Sequence, residues 1–339
     1  MSERDHADVQ TADTMRERAD ESRLKLWLLM GANRLVVTAV LAGGFFGVFM
    51  LGAVLESRLS ILLVERAVIE GVFSAMLTAI ITAVTLVVTI GQLVVSQENG
   101  PLGEQRRRMR DTMDFRDDVT VLVGEPAPAD PSAFLDRLVG TVRSRAIALE
   151  DAIEGTSSGA LEDEVTAFVD SITGNADAVT GRIEGARFGT FDVVSAAMNF
   201  NYGWKIFQVE RLQDEHEDVL TPAQRDALER LHESLVMFAP AREHVKTLYF
   251  QWELIDLSRL ILYTSVPALL VSGMMLTFVT PDTLPGTTLG VENLLWLHAG
   301  AFTFSLIPFF LLMAYVVRIT TLAKRTLAIG PLILRDSQR

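Results

Sequence analysis

The chain has no cysteine, and only four of its 339 residues are lysine. The first absence excludes disulfides, thiolate nucleophiles and cysteine-ligated metals. The second is lopsided, because Lys25, Lys205, Lys246 and Lys324 stand against 26 arginines. No Asn-x-Ser/Thr acceptor occurs, so that type of glycan is not expected. HExxH, Walker, GxSxG and dinucleotide-binding glycine motifs are all missing. Without them a nucleophile, a base and an orienting group cannot be assembled, and no enzyme, catalytic residue or cofactor is expected. Charge is also absent from four stretches, Leu35–Leu55, Gly71–Ser96, Leu260–Thr280 and Leu294–Val317, which contain no Asp, Glu, Lys or Arg. Each is long enough to span a bilayer, which takes about 20 apolar residues.

What charge there is lies between the second and third stretches. Residues 97–259 hold 17 Lys and Arg against 30 Asp and Glu, the whole of the net charge of −13. An acidic, lysine-poor surface looks like that of a halophilic archaeal protein, where acidity keeps the chain soluble in concentrated salt. Nothing in it calls for a nucleic-acid partner.

Basic residues flank the four stretches unevenly: the two short connections hold only Arg58 and Arg66, both in the first. Arg23, Lys25 and Arg34 precede the first, and Arg106, Arg107, Arg108 and Arg110 follow the second. Arg242, Lys246 and Arg259 precede the third, and Arg318, Lys324 and Arg325 follow the fourth. The positive-inside rule then places both termini and the long middle segment in the cytoplasm of a multi-pass cell-membrane protein. The expected fold is an all-α integral membrane protein: two transmembrane hairpins with a helical cytoplasmic domain inserted between helices 2 and 3. Residues 1–34 form a cytoplasmic tail with an interfacial helix around Trp27. Residues 35–96 form the first hairpin, 97–259 the helical domain, 260–317 the second hairpin and 318–339 the C-terminal tail.

The middle segment carries helix signals throughout. Asn99-Gly100-Pro101 interrupts the second span, and a basic helix follows from Gly103 to about Asp118. Asp130 caps a helix that opens with Pro131 and runs to about Glu154. Leu161, Val165, Phe168, Ile172, Ala176, Val179 and Ile183 mark a second amphipathic helix. A third is predicted over Phe191–Val219. Thr221 and Gln224 make a capping box that opens a fourth, ending near Phe238. From Pro240 the pattern runs through Trp252 into the third span. No alternating run argues for a sheet.

The second span holds the main candidate site. Ser74, Thr78, Thr82, Thr85, Thr89, Gln92 and Ser96 fall within an arc of about 80° at roughly 100° per residue. The opposite side carries Ala79, Ile80, Ala83, Val87, Ile90 and Val94. Hydrocarbon cannot hydrogen-bond such a polar face, so it points at protein or at water. In one reading it lines a water-filled path between copies of the helix, with Gln92 at the constriction. In the other, its hydroxyls pack and bond membrane helices together. Arg106, Arg107, Arg108 and Arg110 ring a cytoplasmic mouth or anchor on headgroups. Gly43 and Gly47 form a small-xxx-small contact for helix packing within or between subunits. Pro267 and Pro308 lie inside spans and are read as ordinary membrane prolines. His298 is expected at the interface. Asp214 to Asp218 is an acidic run around His216, but consecutive helical residues diverge, and no metal site is expected.

The order of two spans, a helical domain, two spans and both ends inside resembles bestrophin-type anion channels, in topology and without a matching residue motif. That resemblance implies an oligomeric channel whose second span lines the pore. The alternative is a non-transporting membrane scaffold or sensor whose domain binds a cytoplasmic protein partner. The expected partners are the lipid bilayer, further copies of the chain as a homo-oligomer, and in the alternative that cytoplasmic protein. A coupled transporter is disfavoured, because no span contains a carboxylate or basic group.

Overall fold

The computed structural model describes residues 31–56, 63, 65–156, 158–186 and 190–325. The expected interfacial helix around Trp27 and the end of the C-terminal tail lie outside these residues. The described chain is helical apart from one short hairpin. In order, it comprises α1 (Arg34–Leu55), α2 (Arg66–Glu98), α3 (Leu102–Val123), α4 (Pro131–Ile153), α5 (Gly159–Ile183), α6 (Phe191–Met198), α7 (Tyr202–Glu215) and α8 (Pro222–Phe278). Then come β1 (Thr287–Thr288), β2 (Val291–Glu292), α9 (Asn293–Ser305) and α10 (Ile307–Arg325).

Local chemistry sets the boundaries. The Asn33 side chain accepts a hydrogen bond from the Leu35 amide and opens α1. Asp130 accepts from the amides of Ser132 and Ala133, and Pro131 takes the first position of α4, where its missing N–H costs nothing. Thr221 and Gln224 bond reciprocally at the start of α8, satisfying two otherwise orphaned amides. Gly124 ends α3 at φ +79°, a left-handed conformation that suits glycine.

The structure departs from the sequence reading in four places. The helix expected over Phe191–Val219 is two, broken at Asn199-Phe200-Asn201. Asn201 caps the second by accepting from Trp204, and Asn175 from α5 donates to the Asn199 carbonyl. Next, α8 is a single helix of 57 residues that passes through Pro240 and Pro267 without a stop. The fold is also not wholly helical. Thr287 pairs with Glu292 and Thr288 with Val291 around a Leu289-Gly290 turn, both residues having positive φ. Finally, the fourth apolar stretch is broken. α9 and α10 meet at a 40° bend at Leu306, and Pro308, just beyond, has no N–H for the helical ladder.

The chain forms two compact units. One comprises Pro101–Phe250 with the described part of Leu322–Arg339, and the other comprises Gln251–Thr321 and the described part of Trp27–Gly100. α8 contributes to both. In the first unit α4 and α5 form the core, burying Leu135, Leu138, Val142 and Leu149 on one and Leu161, Val165, Ile172 and Val179 on the other. In the second, α1, α2 and α8 are each long and apolar enough to cross a membrane, and the bent pair α9–α10 makes a fourth if taken as one span. α2 packs through Ile69 and Phe73 against Met275, Leu294 and Ala301, and through Met76 and Ile80 against Ala268. Further along, Val87 meets Leu257, Ile261, Leu311 and Tyr315. α1 packs through Met50 and Ala53 against Leu295 and Ala299.

Candidate functional site

The apolar side of α2 holds the bundle together, and this decides where its polar side points. With Phe73, Ile80 and Val87 turned inward, Ser74, Thr78, Thr82, Thr85, Thr89, Gln92 and Ser96 are all exposed on the outside of the subunit. They are not a seam between α2 and the other helices of its own bundle. The row runs down the middle of the exposed face. Ile81, Val88 and Val95 flank it on one side, and Ala75, Leu86 and Leu93 on the other, all exposed. α2 therefore has an apolar back, two apolar shoulders and a polar front.

The hydroxyls of that front bond locally. Thr78 donates to the Ser74 carbonyl (3.2 Å), Thr82 to Thr78 (2.8 Å), Thr85 to Ile81 (2.9 Å) and Thr89 to Thr85 (2.9 Å). Ser96 donates to Leu93 at 2.8 Å. Each proton is used within the helix, so the atoms presented outward are oxygen lone pairs. The exposed Ser74 hydroxyl makes no such bond among the described residues, and neither does the exposed Gln92 amide. It offers both donors and an acceptor to whatever faces the helix.

The remaining predicted residues are spread out. Gly43 and Gly47 lie on the exposed side of α1, where a Cβ at either would meet nothing within 4 Å. The small-xxx-small pair is thus not used within the described subunit. Arg106, Arg107, Arg108 and Arg110 are exposed on α3, with Arg108 bonded to Glu104 at 2.9 Å.

Three features escaped the sequence reading. Arg34 and Arg318, counted in the sequence as basic residues flanking the spans, are buried. Arg318 donates to Glu253 at 3.0 Å and to the Ala32 carbonyl at 3.3 Å, while Arg34 lies over the Tyr315 ring. The start of α1, the middle of α8 and the end of α10 are tied at one end of the bundle. His298, expected at an interface, is completely buried. Its Nδ1 is 2.8 Å from the Leu63 carbonyl oxygen, and Phe49, Phe73 and Phe302 surround the ring. Ser272 and Ser305 bond at 2.8 Å between α8 and the end of α9, beside the bend.

In the unit Pro101–Phe250 the acidic run does contribute to a convergence. Glu215 and His216 meet Glu164 of α5 across the core edge, within a cation's reach of one another. Arg211 already occupies that position, donating to both Glu164 and Glu215. Its guanidinium supplies the charge a metal would, so the cluster reads as an ion-pair network. A second network lies on α8. Burial alone would raise the Glu243 carboxyl, but hydrogen bonds from Lys246 and Arg242 and their charges hold it below its ordinary value. Burial pushes the neighbouring Tyr202 hydroxyl up, against the Arg242 charge and with that of Glu243.

The whole chain, residues 1–339, matches the model of a family of unknown function, DUF7972. No curated protein and no solved structure matches it. The likeness to bestrophin-type channels therefore rests on the order of apolar stretches alone.

Proposed function

We propose that this chain, which belongs to the DUF7972 family, is a four-span protein whose copies assemble with α2 around a common axis and pass ions without catalysis. Both termini and the unit Pro101–Phe250 lie on the cytoplasmic side, in accord with the arginine distribution. One observation carries the reading: the polar row is centred on the outward face of α2 and bordered by apolar shoulders. A helix lining a path between copies needs this division. Its back packs on its own subunit, its shoulders on the neighbouring copies, and its front meets water. A helix facing lipid has no use for seven aligned polar side chains. Weak, uncharged oxygen ligands suit passage, because they replace part of an ion's hydration without holding it.

The test uses the absence of native cysteine. Thr85→Cys and Gln92→Cys, each in the full chain in membranes, react with a water-soluble thiol reagent, and the reaction blocks current. Val266→Cys, on the exposed apolar face of α8, stays silent. Silence at every stripe position in a folded oligomer rules the reading out.

The local bonding of the hydroxyls favours one second reading. Threonines that satisfy themselves can pack dry against another helix, which makes the row a seam between copies of a scaffold or sensor. The unit Pro101–Phe250 then carries the function by binding a protein partner. In that case the stripe cysteines cross-link between copies but resist water-soluble reagents.

A further inference from the structure

The outward face of α5 has a composition that its own subunit does not explain. Ala167, Ser171, Gly174, Ala178 and Gly181 recur at steps of three and four, and all are exposed. Asp163, Asp170, Asp177 and Glu184 follow one edge of this floor at steps of seven, also exposed. A glycine inside a helix costs about 1 kcal/mol relative to alanine, and this face holds two. A Cβ at Gly174 or Gly181 would meet nothing within 4 Å, so neither is required by packing in the subunit. A second helix lying close along the face would require both.

The first half of α3 is the converse. Leu102, Met109 and Met113 fall within about 40° of one another, and all three are exposed. Arg106 and Arg110 stand beside them, exposed as well. Val119 is the one residue α3 buries among those described. α3 is bulky and basic where α5 is small and acidic.

We propose that α3 of one copy packs along the outward face of α5 in the next. Leu102, Met109 and Met113 cover the floor from Ala167 to Ala178 with the helices parallel, and Arg106 and Arg110 both stand near Asp170, Arg106 level with it and Arg110 about a turn beyond. Asp177 stays with Arg143 of its own chain, to which it is bonded at 2.9 Å. Side-chain bulk against glycine lets the helices approach, and the opposite charges select the partner face and its direction. The two faces differ, so the contact is heterologous, and repetition closes a ring when the rotation permits. The inference rests on the assembly proposed above but not on conduction, and supplies that assembly with its contact.

Disulfide trapping in the full chain tests it. Tagged Met109→Cys and untagged Gly174→Cys are co-expressed, oxidised mildly in membranes and run without reductant. The expected product is a tagged–untagged dimer at least tenfold more abundant than any dimer of either variant alone. Met113→Cys with Ala178→Cys provides a second pair in case Gly174→Cys fails to fold. Asp170→Arg in the acceptor copy lowers trapping about tenfold, and Arg106→Asp with Arg110→Asp in the donor restores it. Absence of dimer from both pairs, while the unaltered chain runs as an oligomer, overturns the contact and leaves the assembly standing. A dimer from Met109→Cys alone means a symmetric α3–α3 contact and also overturns it. An unaltered chain that runs only as a monomer removes contact and assembly together. Trapping in a protein that passes no ions leaves the contact intact and removes the channel.

Discussion

The exposed face of α2 and the exposed faces of its neighbours answer different surroundings. On α1 the outward residues are Leu35, Val36, Ala39, Val40, Gly43, Gly44, Gly47, Val48, Leu51, Val54 and Leu55, with no polar side chain. Between Leu262 and Met274, α8 exposes Tyr263, Val266, Pro267 and Leu270, and α10 exposes Met313, Val316 and Val317. These outward faces are predominantly apolar. α2 is as apolar in the mean as the others, yet the middle of its outward face is a row of six hydroxyls and one amide between apolar shoulders. Hydropathy identifies a span, and the side on which its polar residues lie says what the span touches. The helices long and apolar enough to cross a membrane thus divide into those whose outward faces are apolar and one, α2, that presents a polar front.

The same bundle treats charge in the opposite manner, and this gives the largest expected effect. Arg318 is buried and paired with a largely buried Glu253 while the α2 hydroxyls remain outside. Arg318→Met takes that partner from a largely buried Glu253, and loss of one member of a buried pair costs up to about 3–5 kcal/mol. The expected result is a large drop in the thermal midpoint of the detergent-solubilised protein. Glu253→Gln with Arg318→Met recovers most of the loss. If Arg318→Met alone leaves the midpoint unchanged, the pair is solvated and the contrast with α2 weakens.

A sharper form places one charge on each kind of face. Val266→Arg puts a cation on the apolar face of α8, where a mid-membrane arginine costs about 2.5–3.5 kcal/mol. Thr85→Arg puts it on the polar face of α2. Folded yield in membranes falls for Val266→Arg and holds for Thr85→Arg, which alters current instead. Equal losses at the two positions would mean that both faces meet lipid.

Half of this contrast was legible in the residues. The uncharged stretches locate the spans, and the seven polar side chains of α2 align because helical geometry fixes their spacing at about 100°. Asp130 and Thr221 announce helix starts because capping is local chemistry. The outward direction of the row was not legible, since it depends on how Phe73, Ile80 and Val87 pack against α8, α9 and α10. The break at Asn199-Phe200-Asn201 was hidden because apolar periodicity continues on both sides. Arg34 and Arg318 read only as basic residues flanking spans, because Glu253 and Ala32, which accompany them, are distant from one or both in sequence. His298 read as interfacial from its place near a span end, whereas its burial comes from phenylalanines on α1, α2 and α9.

Ser272 and Ser305 give a smaller effect. Their hydroxyl pair lies inside the bundle beside the α9–α10 bend, and hydrogen bonds between membrane helices contribute about 0.6 kcal/mol on average. Ser272→Ala should lower the thermal midpoint slightly, and adding Ser305→Ala should cost little more, because the partner is already gone. An additive second loss would assign the two hydroxyls separate roles.

The smallest expected effect on stability is the most informative about function. Thr82→Val and Thr85→Val keep the shape of the side chain and remove the hydroxyl. Each hydroxyl proton bonds a carbonyl one turn back that the helix already engages, so the loss is local and stability should shift by only about 0.5 kcal/mol, as for other exposed substitutions. The outward lone pairs disappear at the same time. On a face that meets water and ions, the double variant folds, assembles and passes markedly less current, because a ring of methyl groups dewets the path. On a seam packed dry against a neighbouring copy, valine fills the same space and neither assembly nor current changes. Stability cannot separate these surroundings, since both predict a nearly unaltered midpoint. Current in the Thr82→Val, Thr85→Val protein, compared with Val36→Thr on the apolar face of α1 as a matched control, separates them.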